Sequence, residues 1–200
     1  MSGCGAPVWL ASGSPRRRDL LTWAGIAVEV HPMDLDESRD PGHDPVAHAR
    51  HLATAKAAGA PPGRVVIAAD TVVHLGDRIF DKPTDRTIAR DHLQALSGAW
   101  HAVTTGVCVA RGSERQVLSV TTAVRFRTLS PGEIDAYLQT GEADDKAGAY
   151  GIQGRGATFV AEVRGSWTNV VGLPVEETLA ALAQHKITPT HALELTDGDR

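Results

Sequence analysis

Two cysteines in 200 residues, Cys4 and Cys108, are too few for a disulfide framework and have no metal-ligand spacing. Cys108 falls in an alternating strand pattern and reads as a core thiol, which points to a reduced, cytosolic setting. No apolar run approaches the roughly eighteen residues of a membrane span. The N-terminus lacks a charged segment followed by an apolar stretch, so no signal peptide is expected. A basic excess is missing too: the formal net charge is −4, which argues against a general nucleic-acid binder. There are no internal repeats, no low-complexity linker, and no Walker or Rossmann glycine pattern. No Ser/His/Asp arrangement has a context that supports nucleophilic catalysis. His43, His48 and His51 fall at a polar helix start and are expected at the surface rather than on a metal.

What remains is an ordinary globular composition, 42% hydrophobic and 22% charged, in a chain long enough for one α/β domain and a sizeable core. The pattern predicts a buried strand over 8–11, a helix over 15–24 with proline at its first position, and a short strand over 27–31. Asp44-Pro45 starts an alanine-rich helix to about residue 58. A buried strand over 64–69 is expected to end at Asp70, followed by a small hairpin over 72–79 and a helix over 84–96. Two alternating segments, 101–111 and 117–127, flank Gly112-Ser113-Glu114 as a long antiparallel hairpin. Ser130-Pro131-Gly132-Glu133 has capping-box spacing and opens a helix to about residue 139. A strand over 158–164 and a helix over 174–184 complete the domain, assigned to 1–184, and a polar tail over 185–200 is expected to fray. Crossover and hairpin strands in one chain predict a mixed sheet, with two lobes and a ligand cleft between them.

Chemistry concentrates in a few segments. Leu10-Ala11-Ser12-Gly13-Ser14-Pro15-Arg16-Arg17-Arg18 runs from a strand through a tight turn into a helix that opens with three arginines. Backbone N–H groups, a helix N-terminus and guanidinium forks together suit an anion, although such a run also occurs on solvated helix faces. Set between apolar segments of an acidic protein, it favours a small anion over a DNA minor groove. Asp70, after a run of apolar and small residues, reads either as a Mg²⁺ ligand or general base, or as a cap of the next turn. Glu37, in Asp34-Leu35-Asp36-Glu37, is a candidate second carboxylate, or part of a solvated loop. Lys56, in an alanine-rich helix, and Lys82, in Phe80-Asp81-Lys82-Pro83, are candidate phosphate charges or surface lysines. Asp145-Lys146-Ala147-Gly148-Ala149-Tyr150-Gly151-Ile152-Gln153-Gly154 lets backbone approach a ligand closely. In it Gln153 offers a donor and an acceptor suited to a base edge such as uracil, the competing reading being a glycine-rich structural loop.

Six segments in register resemble the Maf family of nucleoside triphosphate pyrophosphatases. They are Leu10 through Arg17, Ala68-Ala69-Asp70-Thr71-Val72-Val73, Asp81-Lys82-Pro83, Leu96-Ser97-Gly98 with His101, Thr105 and Gly106, Asp145 through Gly154, and Asn169-Val170-Val171-Gly172-Leu173-Pro174. The resemblance spans residues 7–184. It implies an elongated α/β fold like that of the inosine triphosphate pyrophosphatases, in a cytoplasmic homodimer that uses Mg²⁺ or Mn²⁺. It implies hydrolysis of a nucleoside triphosphate to monophosphate and pyrophosphate, with Asp70 as catalytic acid/base and Glu37 as the loop carboxylate. Ser14, Arg16, Arg17, Lys56 and Lys82 correspond to phosphate-binding positions. Arg17, Thr71 and Gln153 match the branch acting on dTTP, UTP and modified pyrimidine nucleotides, whereas a glutamate at the Gln153 position marks the 7-methyl-GTP branch. Trp167, Phe80-Asp81 and Asp144 depart from the family pattern without removing a proposed catalytic group. A nucleotide-binding regulator of cell division, and a phosphatase releasing inorganic phosphate, are the competing functions.

Overall fold

The computed structural model describes residues 6–33, 35 and 44–190. Among these, seven strands form one mixed sheet flanked by six α-helices. The chain opens with β1 (Val8–Leu10), α1 (Pro15–Trp23) and β2 (Val28–Val30), a unit whose two strands pair in parallel. α2 (Pro45–Ala57) follows, its N-terminus capped by the Asp44 carboxylate accepting from the Ala47 N–H. Then come β3 (Val65–Leu75), β4 (Arg78–Phe80), α3 (Arg86–Leu96), β5 (Trp100–Arg111) and β6 (Glu114–Phe126). α4 (Pro131–Leu138), β7 (Val160–Arg164), α5 (Trp167–Val171) and α6 (Val175–Gln184) complete the order.

The spatial order is β2-β1-β3-β5-β6-β7, with β4 beside the far end of β3. β3 is the pivot, parallel to β1 on one side and antiparallel to β5 on the other. β1 pairs only with Val66 and Ile67 of β3, and β4 begins pairing at Val73. Between those points no described strand covers that edge, and the sheet opens beside Asp70 and Thr71. Strand reversals of this kind are where α/β sheets bind ligands.

The strand expected to stop at Asp70 does not stop there. β3 continues through it to Leu75, with Asp70 opposite Gly106 of β5. A charge breaks the apolar pattern of the sequence, but pairing along β5 holds the backbone extended on both sides of it. Helix α3 likewise starts at Arg86 rather than residue 84, because Asp85 accepts from the Thr87 and Ile88 N–H groups and caps it there. The last strand begins at Val160, since residues 155–159 coil into a 3₁₀ segment. The capping box at Ser130 and Glu133 forms in both directions. Thr190 is tied to the Gly25 carbonyl, while residues 191–200 of the expected tail lie outside the described residues.

Three apolar clusters build the core. Leu10, Leu21, Ile67, Val107, Leu173 and Leu182 pack on the α1/α6 side, and Phe80, Leu93, Phe126, Ile134 and Phe159 pack around α3 and α4. Burial of each such side chain contributes about 1.5–3 kcal/mol. The third cluster is made of small groups, Ala11, Ala53, Ala57, Ala68, Cys108 and Ala110, and lies under α2. The buried Cys108 thiol is the core thiol expected; Cys4 lies outside the described residues. No helix among the described residues is long and apolar enough to cross a membrane.

Candidate active site

Past Leu10 the chain leaves the sheet through residues 11–14 and enters α1, and this turn forms one wall of the sheet opening. The Ser12 hydroxyl accepts from the Ser14 N–H at 3.3 Å and from Arg17 Nη1 at 3.1 Å. Arg17 also donates from Nε to the Gly172 carbonyl at 2.8 Å and from Nη2 to Thr71 Oγ1 at 3.0 Å. One planar guanidinium thus ties the turn, β3 and the end of α5 together, a geometry an ammonium could not serve. Arg16 reaches towards the opposite wall, with Nη1 3.5 Å from Asp145 Oδ2. Arg18 turns away to pair with Asp19 in solvent.

The floor is Asp70. Its Oδ1 accepts from Lys56 Nζ at 2.7 Å, and the two side chains are only 11% and 8% exposed. Lys56 reaches it because α2 lies unusually close to the sheet. A Cβ on Gly106, opposite Asp70, would fall on the Ala49 backbone. Burying either charge alone would cost several kcal/mol, and the pairing offsets that cost for both.

These groups surround a cavity of about 870 Å³, within the size range of small-molecule sites. Ser14, Arg16, Arg17, Lys56, Asp70, Thr71, Lys82 and Gln153 all line it. Glu37, with most of the acidic loop around it and His43, lies outside the described residues. A family model described as Maf-like protein matches residues 7–185.

The chain belongs to the Maf family. A dTTP/UTP pyrophosphatase of Anaeromyxobacter dehalogenans (strain 2CP-C) is 52% identical to it over 177 residues, 86% of this chain and 91% of the relative. A protein of the same description from Myxococcus xanthus (strain DK1622) is 48% identical over 176 residues, covering 86% and 89%. One from Chromobacterium violaceum is 45% identical over 185 residues, covering 88% and 93%.

The cavity of this Maf chain also holds side chains to which the sequence assigned no role in a site. His48 was expected at the surface but is buried at 3% exposure and lines the cavity. Its spacing was the available signal, since His48, Leu52 and Lys56 repeat every four residues along one face of α2. His51, on the other side, is exposed. Glu142 and Lys146 line the cavity as well, the latter donating to Asp145 Oδ1 at 2.5 Å and to the Glu142 carbonyl at 2.8 Å. Burial pushes the Asp145 carboxyl up, but the neighbouring Lys146 and Arg16 outweigh it and hold the group below its ordinary value.

The lining of the Maf cavity includes five Lys or Arg side chains, Arg16, Arg17, Lys56, Lys82 and Lys146. Four carboxylates, Asp70, Asp81, Glu142 and Asp145, face them. No cluster of three or more His, Cys, Asp or Glu that could cage a metal occurs among the described residues. Asp70 nonetheless fits a hard cation such as Mg²⁺, which binds through one or two carboxylates and completes its shell with phosphate oxygens and water.

Proposed function

We propose that this chain hydrolyses nucleoside triphosphates, dTTP and UTP foremost, to the monophosphate and pyrophosphate. One observation carries the reading: a buried carboxylate, Asp70, held by Lys56 on the floor of a cavity lined by arginines and lysines. The names of relatives 45–52% identical to the chain, dTTP/UTP pyrophosphatase, support the same substrate class.

Ser14 and Arg16 receive the phosphate chain at the α1 wall, and Lys56 and Lys82 supply charge from the other sides. Arg17 acts on the phosphates through the turn it holds, and Thr71 shares its guanidinium. Asp70 accepts the proton of the attacking water at Oδ2, the oxygen that Lys56 leaves to it. The water oxygen bonds to the α-phosphorus, the bond from that phosphorus to the bridging oxygen breaks, and its electron pair leaves on pyrophosphate. Arg16, Lys56 and Lys82 stabilise the departing charge. Five cationic groups against four carboxylates leave little surplus for a triphosphate of about four negative charges, so a counterion is required. Asp70 and Glu37 would hold it as Mg²⁺ or Mn²⁺, and when bound it screens the phosphates and polarises the reacting phosphoryl group.

Gln153 reads the base. Its amide carries an acceptor for the imide N–H of uracil or thymine and a donor for the adjacent carbonyl. The remaining parts of the reading, a cytoplasmic homodimer and a single catalytic domain over 1–184, rest on the family resemblance.

The test is a panel of UTP, dTTP, CTP, GTP and 7-methyl-GTP with Mg²⁺, measuring monophosphate, pyrophosphate and inorganic phosphate. Pyrophosphate from UTP and dTTP is expected. Phosphate release, a purine preference, or tight binding without turnover would each overturn the reading. Asp70→Asn should retain the fold and lose about 10³-fold or more in kcat.

A further inference from the structure

Among the described acids of the cavity, Glu142 is the one whose carboxylate is spent on backbone N–H groups. Its Oε1 accepts from the Gly156 N–H at 3.0 Å and from the Tyr137 hydroxyl at 3.0 Å, and its Oε2 accepts from the Arg155 N–H at 2.8 Å. The Tyr137 oxygen in turn accepts from the Gly151 N–H at 3.2 Å. Residues 151–154 form a turn closed by the Gly154 N–H on the Gly151 carbonyl at 3.2 Å, and Gln153 occupies its third position. The first residue of that turn is therefore tied to the carboxylate through Tyr137, and the two residues that follow the turn are tied to it directly.

The glycines show how closely the acid is seated. A Cβ on Gly154 would fall on the Glu142 carboxylate, and one on Gly151 would lie 3.1 Å from its Oε1. Burial pushes the Glu142 carboxyl up, yet the Gly156 and Arg155 N–H groups and the Tyr137 hydroxyl prevail and keep it below its ordinary value. The side chain is thus an anion at neutral pH with its acceptor sites directed into the loop.

We infer that Glu142 is a positioning residue for base recognition, setting the height and direction from which Gln153 meets the nucleobase. This rests on Gln153 being the base reader. A carboxylate can accept at both oxygens, whereas an amide accepts at only one of its two terminal atoms, so Glu142→Gln sets an NH₂ against a backbone N–H with almost no change in volume. The turn then loses one attachment, while Arg16, Lys56, Lys82 and Asp70 on the phosphate side remain untouched.

The experiment separates the two walls of the cavity. Steady-state hydrolysis gives KM and kcat for UTP, and inorganic tripolyphosphate, which has no base, gives a competitive Ki for the phosphate wall alone. Glu142→Gln is expected to raise KM for UTP about tenfold, with kcat within about threefold and the tripolyphosphate Ki within about twofold. Tyr137→Phe, which breaks only the link to Gly151, should raise KM about threefold in the same pattern. Gln153→Ala should raise KM at least as far, and adding Glu142→Gln to it should change little further. Equal rises in KM and Ki, or no rise in KM, would overturn the role of Glu142. If Gln153→Ala leaves KM unchanged, the base reader itself is wrong and the inference falls with it. If only the Glu142 variants fail, Gln153 stands and this inference alone is refuted.

Discussion

Replacing Lys56 by methionine removes one charge from the buried pair at the cavity floor and keeps most of the side-chain volume. At 2.7 Å, with an effective dielectric constant near 20, the gross attraction between the two groups is about 6 kcal/mol. Most of it offsets the desolvation of two charges that are about nine-tenths buried. Removing one partner leaves the other desolvation uncompensated, so Lys56→Met should cost about 3–5 kcal/mol. Asp70→Asn keeps an acceptor for Lys56 but removes the charge that offsets the lysine's desolvation, so it should cost about 2–4 kcal/mol. The informative protein is the double variant. With the orphaned carboxylate also gone, Lys56→Met/Asp70→Asn should recover about 2 kcal/mol relative to Lys56→Met alone. Urea unfolding of the four proteins at pH 7, followed by tryptophan fluorescence and circular dichroism, measures all three differences. A Lys56→Met protein within about 1 kcal/mol of the parent would refute the buried-pair argument. So would a double variant no more stable than the single one.

Burial, with the charge of His74, pushes His101 down to about 4, and its Nε2 meets the Tyr150 hydroxyl at 2.9 Å. The unfolded chain binds this proton near pH 6.5 and the native state does not, so stability is lost as pH falls from about 6.5 towards 4. Between pH 7 and 5 the loss is about 2 kcal/mol, and denaturant midpoints of His101→Gln should lack that part of the slope. Gly106→Ala should destabilise by about 2–3 kcal/mol in the same assay, because its methyl would enter the Ala49 backbone. Arg17→Lys cannot span Ser12, Thr71 and Gly172, so the melting temperature should fall and KM for UTP should rise together.

Local signals in the sequence carried a long way, and their failures have physical causes. Asp44 and Ser130 marked their helices because a cap needs only neighbours in the chain. The hairpin of β5 and β6 was legible from alternation about a glycine turn. β3 was broken too early because the partner that permits a charge there, Lys56, lies fourteen residues upstream on another element. The five-residue helix α5 is too short to show a period. Glu142 was invisible for a different reason. Its partners are mainly backbone N–H groups, and these carry no residue identity for a sequence reading to find.

The alanines of α2 connect composition to chemistry. Ala49 lies against Gly106, and Ala53 and Ala57 pack on Ala68, Cys108 and Ala110, so helix and sheet meet through side chains of minimal size. A helix seated on leucines would stand farther from the sheet. The lysine at its inner face would then reach Asp70 only at the end of its stem, with water beside both charges. The small-residue contact therefore sets more than packing density. It decides how deep the carboxylate can lie, how dry its pairing is, and how strongly the charges of the cavity act on a bound anion. For this reason the alanine-rich pattern around Lys56, bland as a motif, is as much a part of the site as the arginines at its mouth.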